Sequence, residues 1–589
     1  MGRAFNLAAA LVLLTAPGFA GAGDTAPLLS EAHSALERGD GIAAEIALKK
    51  AQDAGASRPQ IAAPMGEALI IQNNLVGARK WLGEGRFAAN DAGYGWRMLG
   101  MLERFSGNLA AAEEAYQRAA AMAPDDPLVW SDIGRLRFSQ GDQVGAVGAA
   151  NKALLADPDN PRALELRAQM LREQAGWEAA LPLYERALLR APKDIDLLAG
   201  YAGTLGEAGR MRDMLTVTRS MIALNAKDPR AWFYQAVLAA RAGNVDLARS
   251  LLDHTRSRFD GMPAGLLLRG ALELEAGNAN VAVSLLDGLI QRQPANSTAQ
   301  LLLARALYEA GDTRGLLGRF AGLAGRPDAS SYLLALMART LEEQGDRAGA
   351  AQYLDRLAKA APAPVMPVAE HGSDDVAGAV RRLIAGGNFA AANLAAVNYA
   401  KQRPGMFEAL SLAGDTSLAQ SQSLPALDYY RRAMAVRFPD RMLLRSVEAL
   451  ERSGRGSQVP AVVVGYLGAW PSSRLAARLA AGHAAYAGDW AHSRLLLETI
   501  VLRTGTRDAR VMADLSLAQT ESGDPEMALV SAERAALLLP NSGFAAQAWG
   551  LALVGLNAEP DAARALLTKA RRIDGDNPRI AAALKGLGK

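Results

Sequence analysis

The chain has 589 residues, of which half are hydrophobic and 21% are charged, a composition typical of folded proteins. Its 64 basic and 61 acidic residues give a formal net charge of +3, which predicts no particular affinity for nucleic acid or an anionic membrane. There is no cysteine, which excludes disulfides, thiolate metal ligands, a cysteine nucleophile and the cysteine-linked lipid anchor of bacterial lipoproteins.

The start of the chain has the three parts of a secretory signal peptide. Met1-Gly2-Arg3 is a short positive start, Phe5 to Thr15 is an apolar run, and Ala20-Gly21-Ala22 offers small residues for cleavage. The run is too short to span a bilayer comfortably, although an uncleaved membrane anchor is the alternative. We therefore expect residues 1–22 to be a signal peptide. The mature protein is then expected to be periplasmic or secreted, with no integral membrane span.

After this segment, glycine recurs between two apolar helical patterns at a period of 34 residues. The recurring glycines are Gly107, Gly141, Gly209, Gly243, Gly277, Gly311 and Gly345. The step from Gly141 to Gly209 covers two periods, and Ala175 and Gly176 occupy the slot between them. Glycine accepts the left-handed backbone conformation that ends a helix, so each period is predicted to contain two helices and two short turns.

Capping residues accompany both turns of the period. Most of the glycines are followed by an Asn or Asp that can cap the next helix, namely Asn108, Asp142, Asn244, Asn278, Asp312 and Asp346. The other turn carries Asp126-Pro127, Asn160-Pro161 and Asp228-Pro229, in which a capping residue precedes proline. Proline is favoured at the first position of a helix because its missing N–H has no partner there.

The period resembles the tetratricopeptide repeat. One copy carries the signature residues of that family as Trp96, Leu99, Gly100, Ala112, Tyr116, Ala119 and Pro124. The next carries Trp130, Ile133, Gly134, Ala146, Ala150, Ala153 and Pro158. The copies stay in register from about residue 59 to residue 362 and are more degenerate on either side. The resemblance implies an all-α, α-α superhelical solenoid of about sixteen helical hairpins.

The register divides the chain into segments. We predict an N-terminal array over 23–362, a linker loop over 363–374, a more degenerate array over 375–576 and a capping helix over 577–589. The poorest copies lie between 441 and 508, where Pro460 falls inside a predicted second helix and should shorten or kink it. A stacked array needs a cap over its last apolar face, which the final helix would supply.

The sequence contains no recognisable set of catalytic residues. His483 and His492 could approach each other across a hairpin, but two histidines without a carboxylate at a matching spacing favour ordinary surface or packing roles. No phosphate-binding loop, dinucleotide motif or nucleophile elbow occurs. The repeats also leave no room for a separate catalytic domain. We predict no metal, no cofactor and no enzymatic activity.

The resemblance implies that the first helices line a concave surface that holds an extended peptide or a partner helix. Residues placed on that surface are Tyr94, Arg97, Met101, Arg104, Phe105, Arg135, Phe138, Arg172, Phe233, Tyr234, Arg305, Tyr308 and Arg339. The first hypothesis is a non-catalytic scaffold for protein partners in the bacterial cell envelope, in polysaccharide export or complex assembly. The alternative is a polysaccharide-binding or polymer-guiding protein whose groove arginines hold acidic sugars.

Overall fold

The computed structural model describes five stretches of the chain. These are residues 25–255, 257–294, 296–326, 329–358 and 375–588. The predicted signal peptide and the predicted loop at 363–374 lie outside the described residues.

Helices and short turns make up the described residues, and no strand occurs among them. The first ten helices are α1 (Ala26–Glu37), α2 (Gly41–Asp53), α3 (Arg58–Ile71), α4 (Leu75–Leu82), α5 (Ala92–Phe105), α6 (Leu109–Met122), α7 (Pro127–Ser139), α8 (Gln143–Ala156), α9 (Pro161–Ala175) and α10 (Trp177–Arg190). The next ten are α11 (Ile195–Glu207), α12 (Met211–Leu224), α13 (Pro229–Arg241), α14 (Val245–Asp253), α15 (Pro263–Glu275), α16 (Ala279–Arg292), α17 (Ser297–Glu309), α18 (Thr313–Gly325), α19 (Ser331–Glu343) and α20 (Arg347–Ala358).

The remaining helices follow the predicted loop. They are α21 (Asp375–Ala385), α22 (Phe389–Gln402), α23 (Phe407–Ala419), α24 (Ser423–Met434), α25 (Asp440–Arg452), α26 (Val459–Ala469), α27 (Arg474–Tyr486), α28 (Trp490–Thr504), α29 (Ala509–Glu521), α30 (Pro525–Leu538), α31 (Gly543–Leu556), α32 (Pro560–Asp574) and α33 (Pro578–Leu587). Over the described residues, the thirty-three helices therefore follow one another in a repeated arrangement. The predicted all-α repeat array is confirmed.

The helices belong to two compact units. The first comprises Met1–Gln140 with Ala149–Pro158, and the second comprises Gly141–Gly148 with Asp159–Lys589. Each unit has its hydrophobic core between neighbouring helix pairs, built largely from alanine and leucine. The predicted division at 363–374 stays a prediction, because that segment is not described.

The recurring glycines end the first helices as predicted. Gly107 has a φ of 81° and Gly311 has a φ of 72°, both in the left-handed region. The capping prediction holds for Asp142 and Asp312, whose carboxylates accept backbone N–H bonds at 2.9 and 2.8 Å. At the other turn, Asp126 accepts from the N–H of Leu128 at 2.8 Å, directly before a helix that begins with proline. Both turn signals therefore describe real helix ends.

Two of the predicted caps are wrong. Asn108 and Asn278 make no side-chain cap bond. Their amides instead donate to the carboxylates of Glu103 and Glu273, each at 2.7 Å. Both glutamates are buried, and a carboxylate is a strong acceptor for the N–H groups of the asparagine amide. Their other partners are arginines from the preceding helix pair.

These glutamates form the same ion pair five periods apart. Arg79 of α4 donates to Glu103 of α5 at 3.0 Å, and Arg249 of α14 donates to Glu273 of α15 at 2.9 Å. Each pair joins the second helix of one hairpin to the first helix of the next. The carboxylate also accepts the amide of the turn that follows, so one buried group holds three chain segments together.

Glycine and alanine allow the two helices of a hairpin to lie close together. A Cβ atom added at Gly100 would lie 2.6 Å from the ring of Tyr116, and one added at Gly270 would lie 2.9 Å from the Leu286 side chain. The same arrangement occurs where Gly414 faces Tyr430, at 2.4 Å. In each case a large residue of the second helix fills the space that the glycine of the first helix leaves open.

The second unit also contains contacts between hairpins that are far apart in sequence. The N–H of Phe407 donates to the side-chain oxygen of Gln143 at 3.1 Å, across 264 residues. The N–H of Phe438 donates to the carbonyl of Glu173 at 3.0 Å. A Cβ at Gly176 would lie 2.0 Å from the carbonyl oxygen of Ala469. This close approach gives Gly176 a role that the sequence did not indicate.

Pro460 lies in the first turn of its helix, where proline is tolerated, and not in the interior that the sequence predicted. The helix α26 starts at Val459 with proline in its first turn and is 11 residues long. At the other end of the array, Asn577 accepts from the N–H of Arg579 at 2.9 Å and starts α33. The side chain of Ile580 in α33 is buried against the preceding helices, so α33 covers the apolar face of that pair.

A buried ionic group lies in the core of the second unit. Asp415 is fully buried, accepts from the Tyr430 hydroxyl at 2.9 Å and lies 3.0 Å from the Arg445 guanidinium. Burial raises the pKa of Asp415 to about 6, although Arg445 and the Tyr430 hydroxyl both act to lower it. The desolvation of this carboxylate thus outweighs its two favourable partners.

We predict that Asp415 makes the folded state less stable as pH rises from about 4 to about 6. The folded pKa lies above the unfolded one, so the folded chain holds the proton that the unfolded chain releases in this window. The contribution of Asp415 to the free energy of unfolding is fully present below pH 4. It falls by about 3 kcal/mol as the pH rises through 6. Urea unfolding followed by circular dichroism, with wild type beside Asp415→Asn, measures it. A constant difference between the two proteins across pH 4 to 7 would contradict the assignment.

Candidate functional site

Two of the predicted surface residues are large, exposed aromatics in the first unit. Phe105 lies at the end of α5 and is 52% exposed, and Phe138 lies near the end of α7 and is 42% exposed. Both occupy the last turn of a first helix, directly before the glycine turn. Consecutive repeats therefore present an aromatic ring at nearly the same position.

Cationic and flexible side chains accompany these rings. The Arg104 guanidinium lies 4.6 Å from the centre of the Phe105 ring, a cation–π contact. Arg104, Met101 and Arg135 are all partly exposed. The first-helix face of this unit thus combines apolar rings with positive charge.

Three further residues predicted for this surface are held inside the repeats. Arg97 is 5% exposed, and its guanidinium lies 3.5 Å from the carboxylate of Asp132, which is also buried. The half-buried Tyr94 donates its hydroxyl to Glu67, and burial with that carboxylate raises the pKa of Tyr94 well above its usual range. In the second unit, Phe233 is 8% exposed and stacks on Phe259 at 4.3 Å. The expected exposure of Arg97 and Phe233 is wrong.

The other predicted residues of the second unit are largely engaged with carboxylates of adjacent repeats. Arg305 of α17 contacts Glu275 of α15 at 2.9 Å and Glu309 at 2.7 Å. These hydrogen bonds raise the pKa of Arg305, with Glu309 as the larger cause. Such pairing neutralises the charge that the sequence assigned to partner binding.

The remaining four aromatic and basic residues differ in environment. Arg172 lies 3.6 Å from Glu207, and the Tyr308 hydroxyl donates to Glu343 at 2.5 Å. Tyr234 is partly buried, and burial raises its pKa. Arg339 is exposed. Partner binding by the predicted residues stays a prediction. Among them, the exposed aromatic rings Phe105 and Phe138 lie in the first unit.

Sequence reasoning missed a group of arginines in the degenerate repeats. Arg478 of α27, Arg510 of α29 and Arg579 of α33 line one cavity. The available signal was the repeated arginine in the first helices of this part of the chain. Arg478 lies among the copies at 441–508, which match the family pattern poorly, and Arg579 lies in the final helix, which was predicted only as a cap.

Neither a metal site nor a membrane span emerges from the described part of the chain. No three His, Cys, Asp or Glu side chains there come close enough to hold a metal ion. None of its helices combines the length and the apolar character needed to cross a bilayer.

Comparison with known proteins gives a family match at two places. The family model described as the tetratricopeptide repeat matches residues 97–161 and 267–313. No curated protein matches the chain. The helix pairs and their turns define an α-helical repeat protein. Over the matched segments, the chain is similar to the tetratricopeptide repeat, with the same 34-residue period that the sequence shows.

Solved structures resemble the chain at low sequence identity. The APC/C hetero-tetramer Cut9–Hcn1 matches at 12% identity over 96% of each chain, with a TM-score of 0.40. A tetratricopeptide-repeat protein from Parabacteroides merdae matches at 17% over 48% of this chain and 98% of its own, with a TM-score of 0.31. Pseudomonas aeruginosa pilF matches at 19% over 37% of this chain and 99% of its own, with a TM-score of 0.32. These likenesses do not indicate what the chain binds.

We predict that Arg97 stabilises the fold together with Asp132. Removing one partner leaves a buried charge uncompensated, so Arg97→Met and Asp132→Leu should each lower the free energy of unfolding by about 3 kcal/mol. The double variant Arg97→Met/Asp132→Leu should lose clearly less than the sum, because neither charge then remains. Urea unfolding of the four proteins measures the coupling. Additive losses, or single variants as stable as wild type, would contradict a structural pair.

Proposed function

We propose that this protein is a non-catalytic scaffold that binds protein partners in the bacterial cell envelope. The observation that carries the proposal is the pair of exposed rings, Phe105 and Phe138, on consecutive first helices beside Arg104. Aromatic residues and arginine are the types that most often dominate the energetics of protein interfaces. The two rings lie in the last turns of successive first helices, 33 residues apart, and Arg104 stands one full period before Phe138. We expect a partner that contacts these helix ends.

A partner that covers these rings would remove apolar surface from water. A phenylalanine side chain stabilises an interface by about 1.5–3 kcal/mol when it moves from water into an apolar contact. Scattered exposed apolar residues are ordinary on protein surfaces. The two phenylalanines differ from such scatter because both lie at the ends of successive first helices and because an arginine stacks on one of them.

The charges favour a protein partner over an acidic polysaccharide. A polysaccharide of that kind needs arginines whose donors are available for its carboxylates. Arg305 and Arg172 already lie against glutamates of neighbouring repeats. We therefore do not propose polymer guiding as the function, and the experiment below includes glycan recovery as an outcome.

The non-catalytic role rests on how helix pairs occupy the chain. They follow one another over 26–358 and 375–587 with short turns between them, so the described residues contain no additional domain that could hold an active site. The envelope location rests on the pattern of residues 1–22. Export in this way would place the scaffold with complexes of polysaccharide export or envelope assembly, and fractionation of cells that express the tagged chain tests it.

We predict that the variant Phe105→Ala/Phe138→Ala loses its protein partner. Truncation of two neighbouring hot-spot rings should weaken binding by about tenfold or more while the helices stay folded. The measurement is affinity purification of the wild type and the variant from cross-linked envelopes, followed by identification of the captured proteins and assay of captured glycan.

The matched control is Leu189→Ala/Leu502→Ala, which truncates two exposed apolar residues on second helices, at 83% and 87% exposure. It should capture the same partner as the wild type. Equal capture by all three proteins would show that the aromatic face is not the binding site. Recovery of glycan without a specific protein would contradict the scaffold.

A further inference from the structure

The second unit contains a cavity of about 410 Å³ among its last hairpins. Its walls come from α27, α28, α29 and α33, and its size lies within the range of small-molecule sites in proteins. None of the residues predicted for partner binding lines it. The cavity is therefore a separate feature that needs its own account.

One part of the wall is apolar. Leu479, Leu497 and Leu517 line it together with the ring of Trp490. Leu497 is 2% exposed and belongs to a buried cluster between α27, α28 and α29, so this wall is fixed by the packing of the hairpins. An apolar surface of this kind accommodates a hydrocarbon or aromatic body and excludes ordered water.

The rest of the wall is strongly basic. Arg478 lies 3.4 Å and Arg510 lies 3.3 Å from the two carboxylate oxygens of Asp514, so two guanidinium groups share one carboxylate. The third, Arg579, lies over the Trp490 ring at 4.5 Å. The lining thus carries three positive charges and one negative charge.

The arginines retain donors for a ligand. A guanidinium has five N–H donors, and Asp514 offers only two oxygens to Arg478 and Arg510 together. The nearest carboxylate oxygen of Glu521 lies 3.7 Å from Arg579, longer than a normal hydrogen bond. Burial raises the pKa of Asp514 although Arg510 and Arg478 act to lower it, so this carboxylate is partly desolvated. The side chains of Arg478 and Arg510 are 38% and 36% exposed, so part of each stays accessible to a ligand. Charge-assisted hydrogen bonds are strong in such surroundings.

We propose that this cavity binds a small organic anion that has one carboxylate and an apolar body. Its carboxylate contacts Arg478 and Arg579, and its body lies against Trp490 and the leucine wall. Arginine suits this chemistry because its planar donors match the two oxygens of a carboxylate. Asp514 holds Arg478 and Arg510 in place, so the anion enters a site that is already assembled. The volume restricts the ligand to a small molecule.

Titration with three naphthalene and acetate probes tests the proposal on the full chain. The probes are 2-naphthylacetate, its neutral amide 2-naphthylacetamide, and acetate, which lacks the apolar body. We expect saturable binding of 2-naphthylacetate at one site, with the amide at least about tenfold weaker because it lacks the charge. Acetate should not bind detectably up to about 10 mM. Fluorescence follows the naphthyl probes, and ligand-observed NMR follows acetate.

Two kinds of variant locate the site. Arg478→Gln and Arg579→Gln should each weaken 2-naphthylacetate binding by about tenfold or more, since each removes a charged donor. Gly482→Leu leaves every charge in place and should abolish binding by filling the cavity. Gly482 lines the cavity, and a Cβ added there meets nothing within 4 Å, so this variant is expected to fold. Thermal unfolding checks that each variant is folded.

The matched control is Arg474→Gln. Arg474 lies on the same helix as Arg478 but does not line the cavity, and its side chain is 58% exposed. Its loss should leave the affinity unchanged. The proposal is overturned if the amide binds as tightly as the acid, if Gly482→Leu and Arg478→Gln both keep the wild-type affinity, or if no probe binds saturably.

Discussion

The contact between the two helices of a hairpin is the constraint on which the rest of the structure depends. Gly100, Gly270 and Gly414 each leave space that a tyrosine or leucine of the second helix fills, so the backbone of the first helix approaches that side chain directly. Because protein interiors are packed as densely as crystals of small organic molecules, a methyl group added at one of these glycines would overlap the side chain that faces it. The distance between the two helices of a hairpin determines which residues of the next hairpin can be buried. It therefore also determines which residues stay exposed to solvent.

Charged residues then join one hairpin to the next. Glu103 and Glu273 are buried only because an arginine and an asparagine satisfy them, and Asp132 is buried only because Arg97 lies beside it. Buried pairs add little net stability over an apolar contact, but removing one partner is costly. Many of the arginines form ion pairs with carboxylates of neighbouring helices in this way. In the first unit, Phe105 and Phe138 remain exposed beside Arg104, and in the second unit three arginines line the cavity near α27.

The sequence predicted the period, the helix ends and the helix count well, because these depend on local chemistry. Glycine at φ > 0 and proline at the start of a helix act within a few residues of themselves. Predictions about individual side chains were less successful. Asn108 was expected to cap a helix but donates to Glu103, and Arg97 was expected at the surface but pairs with Asp132. The partner of Asn108 lies 5 residues away and the partner of Arg97 lies 35 residues away. The 34-residue period does not specify how the side chains of these partners are oriented.

The most direct test of this account compares Gly270→Ala with Gly288→Ala, two changes in the same hairpin. Alanine favours a helix over glycine by about 1 kcal/mol, so an open site should gain stability. Gly288 is such a site, since a Cβ there meets nothing within 4 Å, whereas one at Gly270 meets the fully buried Leu286. Hydrogen–deuterium exchange over α15 and α16 should be slower for Gly288→Ala than for the wild type. It should be faster for Gly270→Ala, because overpacking costs about 1–3 kcal/mol and the helix preference of alanine offsets only about 1 kcal/mol of that cost. Slower exchange in both variants would contradict the claim that the glycine contact controls hairpin packing.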